Sequence, residues 1–210
     1  MKTFEMITET DARSLAPGET VMLARGGHIT PLAQDTLRDR RVTVVREGRT
    51  APDDATLAPP ADIRRVAIAS DHTGVKLRRD LTAFLRGRGL AVDDLGTDGT
   101  DPVDYPDVAA SVAQRVARGD ADGGIVIDGA GIGSAIAANK IRGIRAVMAT
   151  TETIARYSRE HNGANVLALG ASLLSADEAK AIATTWLSTA MREPRYIRRL
   201  AKISALERRS

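Results

Sequence analysis

A chain of 210 residues with 43% hydrophobic content can bury a substantial core, and it suits one domain plus an appendage better than two full domains. Its 30 basic and 27 acidic residues leave a formal charge of +3 with no sustained basic run through the body of the chain, and aromatics make up only 3%, so neither bulk attraction to nucleic acid nor base stacking is implied. Without cysteine, and with three scattered histidines, the sequence excludes disulfides, thiolate metal sites and cysteine chemistry and supplies no zinc ligand set.

The N-terminal MKTFEMITETDARS lacks the apolar core of a signal peptide, and no apolar run reaches the roughly 18–20 residues that span a bilayer. A cytoplasmic location without a membrane partner is the expectation. ETVMLA (19–24) and RVTVV (41–45) read as short strands around a helix that Thr30 caps and Pro31 starts. Residues 1–48 are thus expected to form a small β-α-β extension. The proline-rich APDDATLAPPAD (51–62) shows little apolar periodicity and reads as an extended linker over 49–62, leaving 63–210 as the main domain.

In that domain RRVAIAS (64–70), GLAVDDLG (89–96), GGIVIDG (123–129), GIRAVMA (143–149) and ANVLALG (164–170) are short apolar runs that suit strands buried on both faces. Helical patterns lie between them, and SADEAKAIATTWLSTA (175–190) and the tail around 193–207 add two more helices. Strand-helix alternation argues for an α/β fold with a parallel sheet, helices on both faces, and ligands beyond the carboxyl ends of the strands. The tail is locally basic, with Arg192, Arg195, Arg198, Arg199, Lys202, Arg208 and Arg209 against Glu193 and Glu207.

Three loops carry the candidate chemistry and are expected to converge. Ser70-Asp71-His72-Thr73-Gly74 sets a carboxylate beside an imidazole at a strand end, where Asp71 is either a helix cap or a functional group. Asp128-Gly129-Ala130-Gly131-Ile132-Gly133-Ser134 is a glycine-rich turn whose N–H groups can approach an anion. Its spacing is neither that of a dinucleotide fingerprint nor of a P-loop. Asp128 ends the apolar strand GGIVID, where burial is costly unless the acid is hydrogen-bonded or used. It either caps the turn or does chemistry. Arg159-Glu160-His161-Asn162 ends a helix, and its histidine is either a dipole partner or a catalyst.

Taken with ASDHTGVKL, the DLGT and DYPD segments, GxGIGxxIAANK ending at Lys140, GIRAV, REHNGANVLALG and Arg195-x-x-x-Arg199, these loops resemble the sugar-phosphate isomerase family that contains ribose-5-phosphate isomerase B and the galactose-6-phosphate isomerase subunits. The resemblance runs from about Val66 to Ile203. It implies a Rossmann-like three-layer α-β-α sandwich with a five-stranded parallel sheet. It also implies a homodimer or dimer of dimers with active sites shared across the interface, and cofactor-independent isomerisation of a phosphorylated sugar through an enediolate.

By that resemblance Asp128 stands where the family's cysteine base stands, and Ala130 replaces a threonine that assists proton transfer. N–H groups from Gly129 through Gly131 to Gly133 would stabilise the oxyanion. His161 resembles the ring-opening histidine, with Asp71 as its counterpart on the sugar hydroxyls. Asn162 would hold the oxyanion or a hydroxyl. His72, Arg195 and Arg199 resemble the phosphate grip, while Asn139 and Lys140 would fix the loop. Ser172 and Tyr196 depart from the family's usual arginine and histidine. A free Asp has a pKa of about 3.9, so a base useful near neutrality needs its pKa raised by desolvation, which a strand-end position can supply. The alternatives are one subunit of a heteromeric isomerase and a non-catalytic sugar-phosphate-binding module. ITETDARSLAPGETVMLARGGHITPLAQD is similar to short N-terminal modules on enzymes of bacterial microcompartments, which implies shell or cargo association; a plain oligomerisation arm is the alternative.

Overall fold

The computed structural model describes residues 2–46, 57–60, 62–99, 101–191 and 193–207. Most of the expected linker, together with Arg192, Arg208 and Arg209 of the basic tail, lies outside the described residues. The chain divides into two compact units, residues 1–53 and 54–210.

The first unit runs β1 (Thr3–Ile7), α1 (Glu9–Ser14), β2 (Thr20–Ile29), α2 (Pro31–Asp39), β3 (Thr43–Arg46), and its three strands pair in parallel in that order. It is therefore larger than a β-α-β unit. The added β1 carries Glu5 at its centre, and the six-residue α1 buries only Ala12, so neither shows a periodic apolar pattern. What starts α1 is a capping box, with Asp11 Oδ2 accepting from the Thr8 N–H at 2.9 Å and Thr8 Oγ1 accepting from the Asp11 N–H at 3.4 Å. Thr30 stands at the N-cap of α2 but makes no cap hydrogen bond, so the fixed φ of Pro31 sets that start.

In the second unit β4 (Arg65–Ser70), α3 (Val75–Gly87), β5 (Ala91–Asp94), α4 (Tyr105–Arg118), β6 (Gly123–Asp128), α5 (Ile132–Ala138), β7 (Ala146–Met148), α6 (Glu152–Glu160), β8 (Val166–Gly170), α7 (Ala176–Ser188) and α8 (Pro194–Glu207) follow in order. The five strands are parallel in the order β5-β4-β6-β8-β7. Alternation along each central strand sorts the core by size. Val66, Ile68, Ile125, Ile127, Leu167 and Leu169 face α3, α6 and α7, where they meet Leu81, Leu85, Ile182 and Trp186. Ala67, Ala69, Val126, Val166 and Ala168 face α4 and α5, which answer with Ala109, Ala113, Ala135 and Ala138. Small residues on both sides let those helices seat close to the sheet. The three central strands are fully covered. At the edge, β5 exposes Ala91, Asp93 and Asp94, because a strand with one neighbour needs no second apolar face.

Arg78 of α3 is fully buried and donates to Asp94 at 2.5 Å, Asp98 at 2.7 Å and the Thr97 carbonyl at 2.7 Å, which fixes the DLGT loop. A Cβ at Gly96 would sit 2.0 Å from Arg78 Nη1, so only glycine fits there. The chain goes outward from β4 to β5, then crosses back over β4 to β6. That reversal opens a crevice beyond the carboxyl ends of β4 and β6, the place where such sheets bind ligands.

Candidate active site

Asp71 and Asp128 lie on the two sides of this crevice. Asp71 follows β4 and prolongs the ladder by donating its N–H to the Ile127 carbonyl at 3.1 Å. Its Oδ1 accepts from the Thr73 N–H at 2.9 Å, the Thr73 hydroxyl at 2.6 Å and the Gly74 N–H at 3.3 Å. One oxygen therefore ties off the turn into α3, and Oδ2 has no protein donor among the described residues. A Cβ at Gly74 would lie 2.7 Å from Ile127 Cγ2, so glycine lets the turn press onto β6. His72 is exposed, and its Nδ1 accepts from the Val103 N–H at 3.3 Å, which makes Nε2 the protonated nitrogen of the neutral ring.

Asp128 is 5% exposed. Its Oδ1 accepts from the Ala130 N–H at 2.8 Å and from the Gly131 N–H, and its Oδ2 accepts from the Ser134 N–H at 2.8 Å. Gly131 makes this possible with φ +77°, and a Cβ there would come within 2.9 Å of the Leu169 carbonyl carbon. Burial pushes the Asp128 carboxyl up, but the Ser134 side chain and the N–H groups of Gly131, Ser134 and Ala130 outweigh it and hold the group below the usual carboxylate range. Since Ser134 Oγ is buried without a well-formed bond, the three N–H groups are the firmer cause. The shift is opposite to the rise expected from desolvation alone. The reason is local: the same turn that buries the acid aims three donors at it. Those donors also include N–H groups expected to face an oxyanion, and those of Gly129, Ile132 and Gly133 have no acceptor among the described residues.

Two hydroxyls complete the crevice. An ideal Cβ on Gly129 would stand 3.8 Å from Thr73 Oγ1 and 3.9 Å from Ser172 Oγ, and the turn is closed by the Ser172 N–H on the Gly129 carbonyl at 2.9 Å. Tyr105 forms a wall, its ring 2.7 Å from where a Gly133 Cβ would be, while it stays 42% exposed. Asn139 fixes α5 to β7 through a pair of 2.8 Å bonds with the Ala146 backbone. Lys140 is exposed.

The third loop does not converge with these two within the chain. His161 and Asn162 precede β8, because α6 returns antiparallel to the strands. Between the Gly124↔Val166 and Asp128↔Gly170 pairs the sheet rises about 13 Å, which leaves the two clusters at opposite ends of it. There His161 stacks on Tyr157 at 4.7 Å and lies tilted against Tyr196 at 4.8 Å. Arg195 and Arg199 of α8 lie over the Tyr196 ring at 4.9 and 5.5 Å. Arg159 anchors this end. Fully buried over Trp186 at 4.9 Å, it donates to the carbonyls of Pro60, Ala164 and Thr189 at 2.8, 2.9 and 3.1 Å, and desolvation lowers its pKa to about 10.

Residues 66–203 match the Ribose/Galactose Isomerase family. The chain belongs to that family. The "Ribose-5-phosphate isomerase B" of Escherichia coli (strain K12) is 42% identical over 147 residues, 70% of this chain and 99% of the relative. A "D-erythrulose-4-phosphate isomerase" of Pectobacterium atrosepticum is 39% identical over 124 residues, 58% of this chain and 81% of the relative. Among solved structures, that of Clostridium thermocellum ribose-5-phosphate isomerase B superposes with a TM-score of 0.68 at 46% identity, covering 69% of this chain and 98% of its own.

Asp128 and Ala130 sit together on the β6–α5 turn, the Ala130 N–H donating to Asp128 Oδ1 at 2.8 Å. Ser172 lies across the crevice from Thr73. Thr73 and Tyr105 are lining residues that sequence reasoning assigned no role. Both had a signal, since Thr73 belongs to the DHTG turn and Tyr105 is a large aromatic in the first turn of a helix. Among the described residues no group of three or more His, Asp or Glu side chains is placed to hold a metal ion, and no helix is long and apolar enough to cross a membrane.

Proposed function

We propose that the chain is an aldose–ketose isomerase of a phosphorylated sugar, of the ribose-5-phosphate/ribulose-5-phosphate type, acting through an enediolate with Asp128 as base. The observation that carries this reading is the buried, ionised Asp128 carboxylate at the switch-point crevice, opposite Asp71. Oδ1 is spent on two N–H groups, whereas Oδ2 accepts one and keeps a lone pair. Oδ2 takes the proton from C2 of the open-chain aldose as the C2–H electrons form the C1–C2 double bond and the C1 carbonyl pair moves to O1; the O2 proton passes to O1, the C2 carbonyl forms, and Oδ2 returns its proton to C1 to give the ketose.

Because Asp128 is a weak base, stabilisation of the enediolate has to lower the barrier. A second protomer supplies this, bringing His161 for ring opening, Asn162 for the oxyanion, and Arg195 and Arg199 for the phosphate to the crevice that holds Asp71, His72 and Asp128. Two facts support a shared site. The clusters stand at opposite ends of one protomer's sheet, and Ile132 and Ile136, 55% and 58% exposed on successive turns of α5, give the crevice rim an apolar face. Purified protein incubated with ribose 5-phosphate in deuterium oxide should exchange the substrate C–H proton, and Asp128→Asn should abolish that exchange. An unchanged rate would remove Asp128 from the mechanism.

The same hydrogen bonds favour a second reading, in which Asp128 is a structural cap and the chain turns over only with a cysteine-bearing homologue. Both carboxylate oxygens are engaged and the charge is already satisfied. Turnover by the purified chain alone rules this out.

A further inference from the structure

Tyr196 occupies a position for which the proposed chemistry has no step, yet it touches three of the side chains that chemistry needs. Its ring is 6% exposed and lies 4.8 Å from the His161 ring at an interplanar angle of 35°. The Arg195 and Arg199 guanidinium carbons lie over it at 4.9 and 5.5 Å. Its hydroxyl accepts from Arg195 Nη2 at 3.0 Å. Arg195 also forms an ion pair with Glu193, at 2.5 Å, and both of those groups are more than half exposed.

Two cations held side by side repel one another, and a carboxylate between them would occupy the donors that an incoming anion needs. An aromatic face has neither defect. It attracts each cation through its quadrupole without drawing on the in-plane N–H groups, of which Arg195 spends Nη2 on the Tyr196 hydroxyl and Nε on Glu193. The His161 imidazole is also stacked on Tyr157 at 4.7 Å, so two phenol rings clamp it.

Resting on the reading that His161, Arg195 and Arg199 serve the substrate, we infer that Tyr196 is a positioning residue that sets the imidazole and both guanidinium groups in one arrangement. It holds the ring-opening group and the phosphate grip in register. It does so across two helices, since His161 ends α6 and the two arginines belong to α8. Phosphate affinity and imidazole orientation are therefore coupled through a single ring.

The test uses the full chain with Y196F, which keeps the ring and loses the hydroxyl, and Y196L, which loses both. Y196F should leave kcat nearly unchanged and raise KM for ribose 5-phosphate roughly threefold, from loss of one charged hydrogen bond. Y196L should raise KM about tenfold or more and lower kcat as well, because both cation–π contacts and the imidazole clamp go. In NMR spectra the His161 ring protons, assigned with H161Q, should hold their shifts in Y196F and move downfield in Y196L as the phenol ring current is lost. A folded Y196L with wild-type His161 shifts, or with shifted resonances but wild-type kcat and KM, overturns the inference. If Y196L does not fold, Y196F and Y196W decide it: ring-retaining variants must keep kcat within about twofold, and a large fall in kcat in both is refuting. If the wild-type chain shows no isomerisation, the reading under Proposed function fails. The Tyr196 inference is then judged by titration with inorganic phosphate, which must bind about tenfold more weakly to Y196L.

Discussion

Replacing Asp128 by Asn tests the central electrostatic claim without requiring activity. The amide oxygen can still accept from Ala130 and Gly131, but the amide NH2 then faces the Ser134 N–H, donor against donor. One buried N–H is orphaned, at about 1–3 kcal/mol, and two charge-assisted bonds become neutral ones, at about 1 kcal/mol each. The variant no longer buries an ionised group, which returns several kcal/mol of desolvation. The net expectation is a loss of about 1–3 kcal/mol at neutral pH. Urea unfolding followed by fluorescence isolates the second unit, because the chain has one tryptophan, Trp186, and it is fully buried there. The pH dependence supplies the sign. The folded pKa lies below the unfolded value, so the contribution is complete above about pH 4 and shrinks as pH falls through the folded pKa. Wild type and Asp128→Asn should therefore differ by a constant amount from pH 7 to about 5 and draw together in more acid solution. A gap that widens on acidification, or an Asn variant as stable as wild type at pH 7, would refute the claim that the turn holds a carboxylate anion.

Mixing unfolded Asp128→Asn and His161→Ala chains and refolding them together should restore activity, to about a quarter of the wild-type sites if pairing is random, since half the dimers are mixed and each holds one intact site; activity no greater than the sum of the parents would place the whole site in one protomer. Arg159→Met leaves the buried Ala164 carbonyl and the part-buried carbonyls of Pro60 and Thr189 without their donor and should cost about 1–3 kcal/mol with a shifted Trp186 emission, whereas an unchanged stability would mean water replaces the guanidinium. Gly131→Ala forces a side chain onto φ +77° and against the β8 backbone, so thermal denaturation should show a loss of at least about 2 kcal/mol and substrate proton exchange should stop.

The central strands were readable because a parallel strand covered on both faces leaves a continuous apolar run, as RVAIAS, GGIVID and NVLALG do. Asp71, His72 and Asp128 were also readable as neighbours, since strand ends at a switch point must meet. His161 was not. Its motif gives a helix end, but which end of the sheet that helix reaches follows from the direction of α6. The charge state of Asp128 was equally hidden, because it depends on Gly131 adopting a left-handed turn that returns three N–H groups to one side chain. Arg159 and Tyr196 were unreadable for a different reason. One is satisfied by carbonyls from residues 60, 164 and 189, and the other joins α6 to α8, contacts that no local pattern announces. The strand β1 and helix α1 went unseen because a five-residue strand with a central glutamate and a six-residue helix fall below the length at which periodicity speaks.

The way Asp128 is tied has a stereochemical consequence. With Oδ1 pinned by two N–H groups and Oδ2 by a third, the carboxylate cannot turn about χ2 without giving up bonds on both sides. A free thiol sweeps a cone, whereas this acid presents one lone pair in one direction. With Asp128 as the proposed base, proton removal and return would take place on a single face of the planar intermediate, and label from solvent should enter only one of the two diastereotopic positions at C1.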